Sequence, residues 1–97
     1  MYEIGNQISG QKYDKLQVEI VVETGKFDIL SISLEKDAVF PNHSSPKDAQ
    51  LIVLEGTILF HIDGESYTLS KYQHFSFPKQ TEHWVVAKEN SKFLIIR

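Results

Sequence analysis

The chain has 97 residues, of which 41% are hydrophobic, 24% charged and 11% aromatic. This length permits one domain with one modest core, and the composition is that of a globular protein rather than a disordered one. Lysine and arginine total 10 against 13 acidic residues, a balance that excludes a typical nucleic-acid binder. The absence of cysteine excludes disulfides, thiolate metal sites and cysteine nucleophiles.

The sequence contains no candidate membrane or export segment. No stretch approaches the roughly 20 apolar residues of a membrane span, so we expect no membrane partner. Residues 1–5 lack the basic and then apolar pattern of a signal peptide. Together with the lack of disulfides, this favours a cytoplasmic protein.

Short strands follow one another from residue 16 onward. Leu30, Ile32 and Leu34 alternate with polar residues, which is typical of a strand with one buried face. The apolar run 50–54 fits a strand buried on both sides. Asp63-Gly64 predicts a hairpin turn, because glycine accepts a positive φ without a steric clash. The predicted strands are 16–22, 30–34, 50–54, 58–62, 66–69, 73–77, 83–88 and 92–96.

Helical candidates are few and short. No window of 11 or more residues has a convincing 3.6-residue period, and only a turn or two near residues 8–16 and one turn at 46–50 are predicted. Many short strands separated by turn residues predict an all-β sandwich or barrel.

The four histidines are the main chemical groups of the chain. His43 precedes the strand 50–54, and His83 begins the strand 83–88. A closed barrel can bring such distant segments side by side. His61 and His74 alternate with apolar neighbours, so we expect both to face outward, and Trp84 should point away from His83.

The chain resembles the cupin family in the order and spacing of several segments. These are Pro41-Asn42-His43, Leu51 to Gly56, Asp63-Gly64, Phe77-Pro78 and His83. The resemblance covers about residues 30–96. It implies an all-β fold, a small cupin-type double-stranded β-helix, or jelly-roll barrel, of two antiparallel sheets. We therefore expect a single domain over 1–97, with a core at about 30–96 and the strand 16–23 added to a sheet.

The resemblance also implies a degenerate metal site. Many cupins hold one divalent metal with three histidines and a glutamate, a ligand set that suits Fe, Mn, Ni or Zn. His43 and His83 match two of the four ligand positions, whereas Ser45 and Ala49 occupy the other two. Two imidazoles alone make a poor site. We therefore expect a divalent metal at His43 and His83 to be bound weakly or not at all.

Two interpretations of His43 and His83 stay open. They are either rim histidines bonded to backbone or water, or part of a cavity in which His43, His83, Ser45 and Gln50 bind a small organic ligand. Gln50 would reach the site only after a one-residue shift of the strand, which would invert its faces.

The alternative function is a metal-dependent cupin enzyme, dioxygenase- or isomerase-like, whose site is completed by water, Gln50 or Asp48. A third interpretation is a structural barrel without a ligand. No catalytic residue can be assigned from the sequence. Cupins commonly pair through outer sheet faces, so the resemblance also implies a homodimer.

Overall fold

The alternating segments of the sequence form nine β-strands and one short helix. The computed structural model describes residues 1–97. In chain order the elements are α1 (Gln7–Gly10), β1 (Leu16–Glu23), β2 (Asp28–Leu34), β3 (Val39–His43), β4 (Ala49–Glu55), β5 (Thr57–Ile62), β6 (Glu65–Ser70), β7 (His74–Phe77), β8 (His83–Ala87) and β9 (Ser91–Ile96). No helix has the length and apolar character that a membrane crossing requires.

The strands form two antiparallel sheets. The five-stranded sheet has the order β1-β2-β9-β4-β7, and the four-stranded sheet has the order β3-β8-β5-β6. Strands distant in sequence are neighbours in space, such as β2 with β9 and β3 with β8. Two such sheets packed face to face are a jelly roll, so the predicted all-β architecture is confirmed.

The apolar core fills one end of the space between the sheets completely. Leu34, Val53, Ile58 and Ala87 have no exposed surface. The inward residues further along the same strands, such as Leu30 on β2 and His83 on β8, line a cavity instead. Each of these two strands therefore runs from a packed end to an unfilled end, and the unfilled end is where a ligand site can exist.

All eight predicted strands are present, with bounds that differ by at most two residues. The missing prediction is β3, in which Pro41 and Asn42 are residues that strands disfavour. The predicted helical turn at 46–50 is wrong, because Ala49 and Gln50 already begin β4. The turns predicted near residues 8–16 reduce to the four residues of α1.

Burial in β4 follows one face rather than both. Leu51 and Val53 are fully buried, whereas Gln50 is exposed. The expectation of a strand buried on both sides was therefore wrong. Ile52 and Leu54 are half-buried on the outer face and are also apolar. The sequence therefore shows an uninterrupted apolar run although only one face of the strand is fully buried.

Two turns depend on glycine. Asp63 and Gly64 have φ values of 51° and 74°, and they join β5 to β6 as the predicted two-residue hairpin turn. Gly56 links β4 to β5 with a φ of 80°. A Cβ at Gly56 would collide with the carbonyl oxygen of Asn90 and with Ser91, so no other residue fits there without a shift of the backbone.

Residues 7–15, here called the N-terminal strap, lie on the outer face of β2 and β9. Gln11 accepts a hydrogen bond from the Ser31 hydroxyl at 2.6 Å and donates to the Ser31 carbonyl at 2.8 Å. The Ser33 hydroxyl donates to a strap carbonyl at 2.7 Å. The buried Lys92 ammonium donates to the carbonyls of Ile8 and Gln11. These bonds satisfy the polar groups that the strap covers.

Replacement of Gln11 with alanine should lower the free energy of unfolding by about 1–3 kcal/mol, because the Ser31 hydroxyl and carbonyl lose their buried partner. Urea denaturation followed by fluorescence measures this change. The matched control is Gln7→Ala in the exposed helix α1, which should change stability by less than about 0.5 kcal/mol. Equal effects of the two substitutions would contradict the anchoring role of Gln11.

Candidate functional site

The unfilled end of the barrel contains a cavity of about 300 Å³. The apolar part of its wall is formed by Val18, Ile20, Leu30, Ile32, Phe40, Phe60, Phe77, Val85, Phe93 and Ile95. Its polar part is formed by His43, Ser45, His83 and Arg97. Val18 and Ile20 are 48% and 59% exposed, so the cavity opens to solvent beside the edge strand β1.

A β-bulge in β3 places His43 on the cavity wall. Phe40 lies opposite Val85 and His43 lies opposite His83, so three steps along β3 match two steps along β8. In a regular strand, residues three apart face opposite sides. The extra residue of the bulge puts Phe40 and His43 on the same side, where their rings stack with centroids 4.1 Å apart.

Aromatic rings enclose His83. Its ring lies nearly parallel to that of Phe60, with centroids 5.2 Å apart, and it also contacts Phe77 at 4.6 Å and His43 at 4.2 Å. Only 3% of the residue is exposed. His83 is therefore a wall residue deep in the barrel rather than a rim residue, while His43 is half-buried beside it.

Backbone carbonyls fix the orientation of both imidazoles. Nδ1 of His43 lies 2.7 Å from the Pro41 carbonyl oxygen, and Nδ1 of His83 lies 2.9 Å from that of Thr81. Because a carbonyl oxygen only accepts, Nδ1 carries the proton and Nε2 keeps a free lone pair in the neutral ring. Both histidines are thus bonded to the backbone and both line one cavity, while ligand binding there stays a prediction.

His83 is held in its neutral form. Burial among apolar rings lowers the pKa of His83 below the ordinary value of 6.5. The Thr81 carbonyl acts in the opposite direction, and the charge of His43 when protonated lowers the pKa further. At neutral pH the His83 ring therefore offers a hydrogen-bond acceptor at Nε2 rather than a positive charge.

The other polar residues expected at the site lie in different places. Ser45 lines the cavity, but its hydroxyl donates to the Lys47 carbonyl at 2.7 Å. Gln50 is exposed on the outer face of β4 and accepts a hydrogen bond from Ser76, so the structure does not bring it to the cavity. Asp48 is also exposed and accepts from the Lys79 amide. The physical reason is register: Ala49 faces inward, so both its neighbours face out.

The remaining histidines lie outside the cavity wall. His61 stacks on Trp84 across β5 and β8, with ring centroids 3.6 Å apart. His74 is exposed on β7. Trp84 is 38% exposed while its neighbour His83 is buried, so the predicted opposite orientation of these two side chains is observed.

Sequence reasoning missed Arg97 as a cavity residue. It follows Phe93 and Ile95 at two-residue spacing, and all three line the cavity. The same alternation could have identified it, but the position lies one residue beyond the end of β9. Arg97 is the one wall residue that carries a permanent charge.

The metal ligand set of three histidines and a glutamate does not fit this site. His43 and His83 are the ligand-type side chains on the wall, and Ala49 is packed in the core with 1% exposure. No group of three or more His, Cys, Asp or Glu side chains is arranged to hold a metal ion. Two imidazoles without a carboxylate leave a divalent cation short of ligands.

The comparisons with known proteins agree with this architecture. The family profile described as "Cupin domain" matches residues 30–96. Among solved structures, an RmlC-like cupin protein from Desulfovibrio desulfuricans has 25% identity and a TM-score of 0.86, and the match covers 99% of this chain and 95% of the other. No curated protein sequence matches the chain.

Two further solved structures have similar folds. A protein of unknown function from Streptococcus pyogenes has 28% identity and a TM-score of 0.78, over 88% of this chain and 75% of the other. KdgF from Halomonas sp. has 26% identity and a TM-score of 0.77, over 89% of this chain and 81% of the other. These similarities extend across both sheets of the barrel.

The imidazole of His83 should titrate with a pKa below 6.5, measured by NMR of the ring carbons as the pH is lowered. His43→Gln should raise that pKa, since it removes a neighbouring positive charge while it keeps the space filled. His74→Gln on exposed β7 is the matched control and should leave the pKa of His83 unchanged. A pKa of His83 at or above 6.5 in the unaltered protein would contradict the buried, neutral site.

Proposed function

Because the chain belongs to the cupin domain family, we propose that it binds a small organic molecule in the barrel cavity without a strong metal site. One observation carries the proposal: two imidazoles held by the backbone line an otherwise largely apolar cavity of about 300 Å³. A concave apolar site with a few polar groups of fixed orientation is the usual form of a small-molecule site.

The residues of the cavity wall indicate which chemical groups such a ligand would have. The aromatic rings of Phe40, Phe60 and Phe77 favour a flat or compact apolar body. The free Nε2 atoms of His43 and His83 favour a ligand hydroxyl or N–H that donates a hydrogen bond to them. Burial of that donor without a partner would be unfavourable, so the imidazoles select for orientation as well as for polarity.

A metal-dependent enzyme is the second candidate, and one observation favours it. Nδ1 of each wall histidine is bonded to a carbonyl, an arrangement that also orients imidazoles toward metals in metalloproteins. The number of metal ligands argues against this candidate, because Ser45 and Ala49 supply neither an imidazole nor a carboxylate. A metal would therefore need further ligands from outside the cavity wall. We rank the metal-dependent enzyme below metal-free binding of a small molecule.

A homodimer remains a proposal carried over from the sequence. The outer face of β5 and β8 carries His61, which stacks on the partly exposed Trp84. Among strand residues, the exposed aliphatic side chains are Val18, Ile20 and Val39 on the edge strands β1 and β3.

Protein purified without chelator should contain well below one divalent metal ion per chain, measured by elemental analysis. Ser45→His adds a third imidazole to the cavity wall and should raise zinc affinity at least about tenfold in calorimetric titration. Ser44→His, on an exposed neighbour, is the matched control and should produce no comparable gain. Stoichiometric iron, manganese, nickel or zinc in the unaltered protein would instead support the enzyme candidate.

Binding in the cavity can be tested with benzamide, a small neutral ring with an N–H donor, by methyl and histidine NMR. We expect saturable shifts at Ile32, Val85 and the two wall histidines. Val85→Phe fills the cavity and should abolish them, whereas Val86→Phe on the opposite face of β8 should not.

If Val85→Phe does not fold, His43→Gln serves as the second variant, because it replaces the oriented imidazole acceptor with a flexible amide of similar size. It should weaken benzamide binding. Shifts scattered over the surface, or unchanged by either wall substitution, would overturn the proposed function.

A further inference from the structure

Arg97 brings a positive charge to the wall of an apolar cavity. It continues the inward alternation of Phe93 and Ile95 on β9. Its backbone is held against β2 by two hydrogen bonds, since its N–H donates to the Asp28 carbonyl and its carbonyl accepts from the Asp28 N–H. The position of the residue at the cavity is therefore set by strand pairing.

The guanidinium of Arg97 is incompletely satisfied by the protein. Its Nε is buried and has no hydrogen-bond partner. An N–H group of a cation that has lost water without gaining an acceptor is costly, and native structures rarely keep one without a reason. Because Nε has no accessible surface, a bound carboxylate would pair with the terminal N–H groups of the guanidinium.

The charged residues on the cavity wall indicate that the bound molecule is an anion. No carboxylate lines the cavity, so Arg97 supplies the only permanent charge on its wall. A guanidinium offers parallel N–H donors that match the two oxygens of a carboxylate. One arginine in an apolar wall suits a monoanion better than a phosphate, which would need more donors and more charge.

We infer that the ligand of the cavity is a small monocarboxylate with an apolar body, whose carboxylate pairs with Arg97 while its body contacts the aromatic wall. This inference rests on the proposed function, because it names the ligand class of the same cavity. A hydroxyl or N–H on the body would donate to Nε2 of His43 or His83.

Asp28 is the acidic residue paired with Arg97 along the backbone. It shares a backbone pair with Arg97 and lies two residues before the wall residue Leu30 on β2. Its side chain is half-buried but does not line the cavity. Asp28→Asn should therefore keep or strengthen the binding of an anion, whereas loss of Arg97 should weaken it.

Benzoate and benzamide provide a matched pair of probes, because they have the same shape and differ in charge. In NMR titrations at low salt, benzoate should bind at least about tenfold more tightly than benzamide. Arg97→Gln should remove this preference, so that the two probes bind with similar affinity, while Arg97→Lys should keep part of it. Raising the salt concentration should weaken benzoate binding and not benzamide binding.

The outcomes separate this inference from the proposed function. If benzamide binds in the cavity and benzoate binds no more tightly, the cavity function stands and the carboxylate inference is overturned. If neither probe shifts the wall residues, the proposed function itself fails. If Arg97→Gln preserves the preference for benzoate, the positive charge that selects the anion lies elsewhere and the assignment to Arg97 is wrong.

Discussion

Side chains fill the space between the two sheets at one end of the barrel and leave it partly empty at the other. The rest of the structure depends on this difference. At one end, side chains such as Leu34, Ile58 and Ala87 interlock completely, and their burial supplies the stabilisation that holds the sheets together. At the other end the same strands carry aromatic and imidazole rings that leave about 300 Å³ unfilled. The packed end and the cavity therefore share the same strands, and the cavity wall is formed mainly by strand residues rather than by loops.

The chemistry of the cavity is set by backbone geometry more than by residue type. A bulge turns His43 inward, a carbonyl orients each imidazole, and strand pairing positions Arg97. Burial then lowers the pKa of His83, so the wall combines neutral acceptors with one cation. An apolar site of this kind selects a ligand by its charge at the cation and by its hydrogen-bond donors at the neutral acceptors.

The strands were predictable because alternation and the Asp63-Gly64 turn report directly on local backbone geometry. The pairing of His43 and His83 was accessible only through the family resemblance, since no local pattern specifies which distant strands meet. Gln50 was wrongly expected at the cavity. Ala49 faces inward, so Gln50 lies on the outer face of β4. The β3 bulge and Arg97 were missed for related reasons, since a bulge breaks the alternation and Arg97 lies just past a strand end.

The N-terminal strap has a consequence for how the molecule opens. It is attached to the sheet by hydrogen bonds to Ser31, Ser33 and Lys92. If thermal motion detaches it, Ser31, Ser33 and Lys92 lose their cover, but strands β2 and β9 remain paired on both sides. A transiently open molecule therefore exposes no free strand edge at this place, which removes one usual starting point of aggregation.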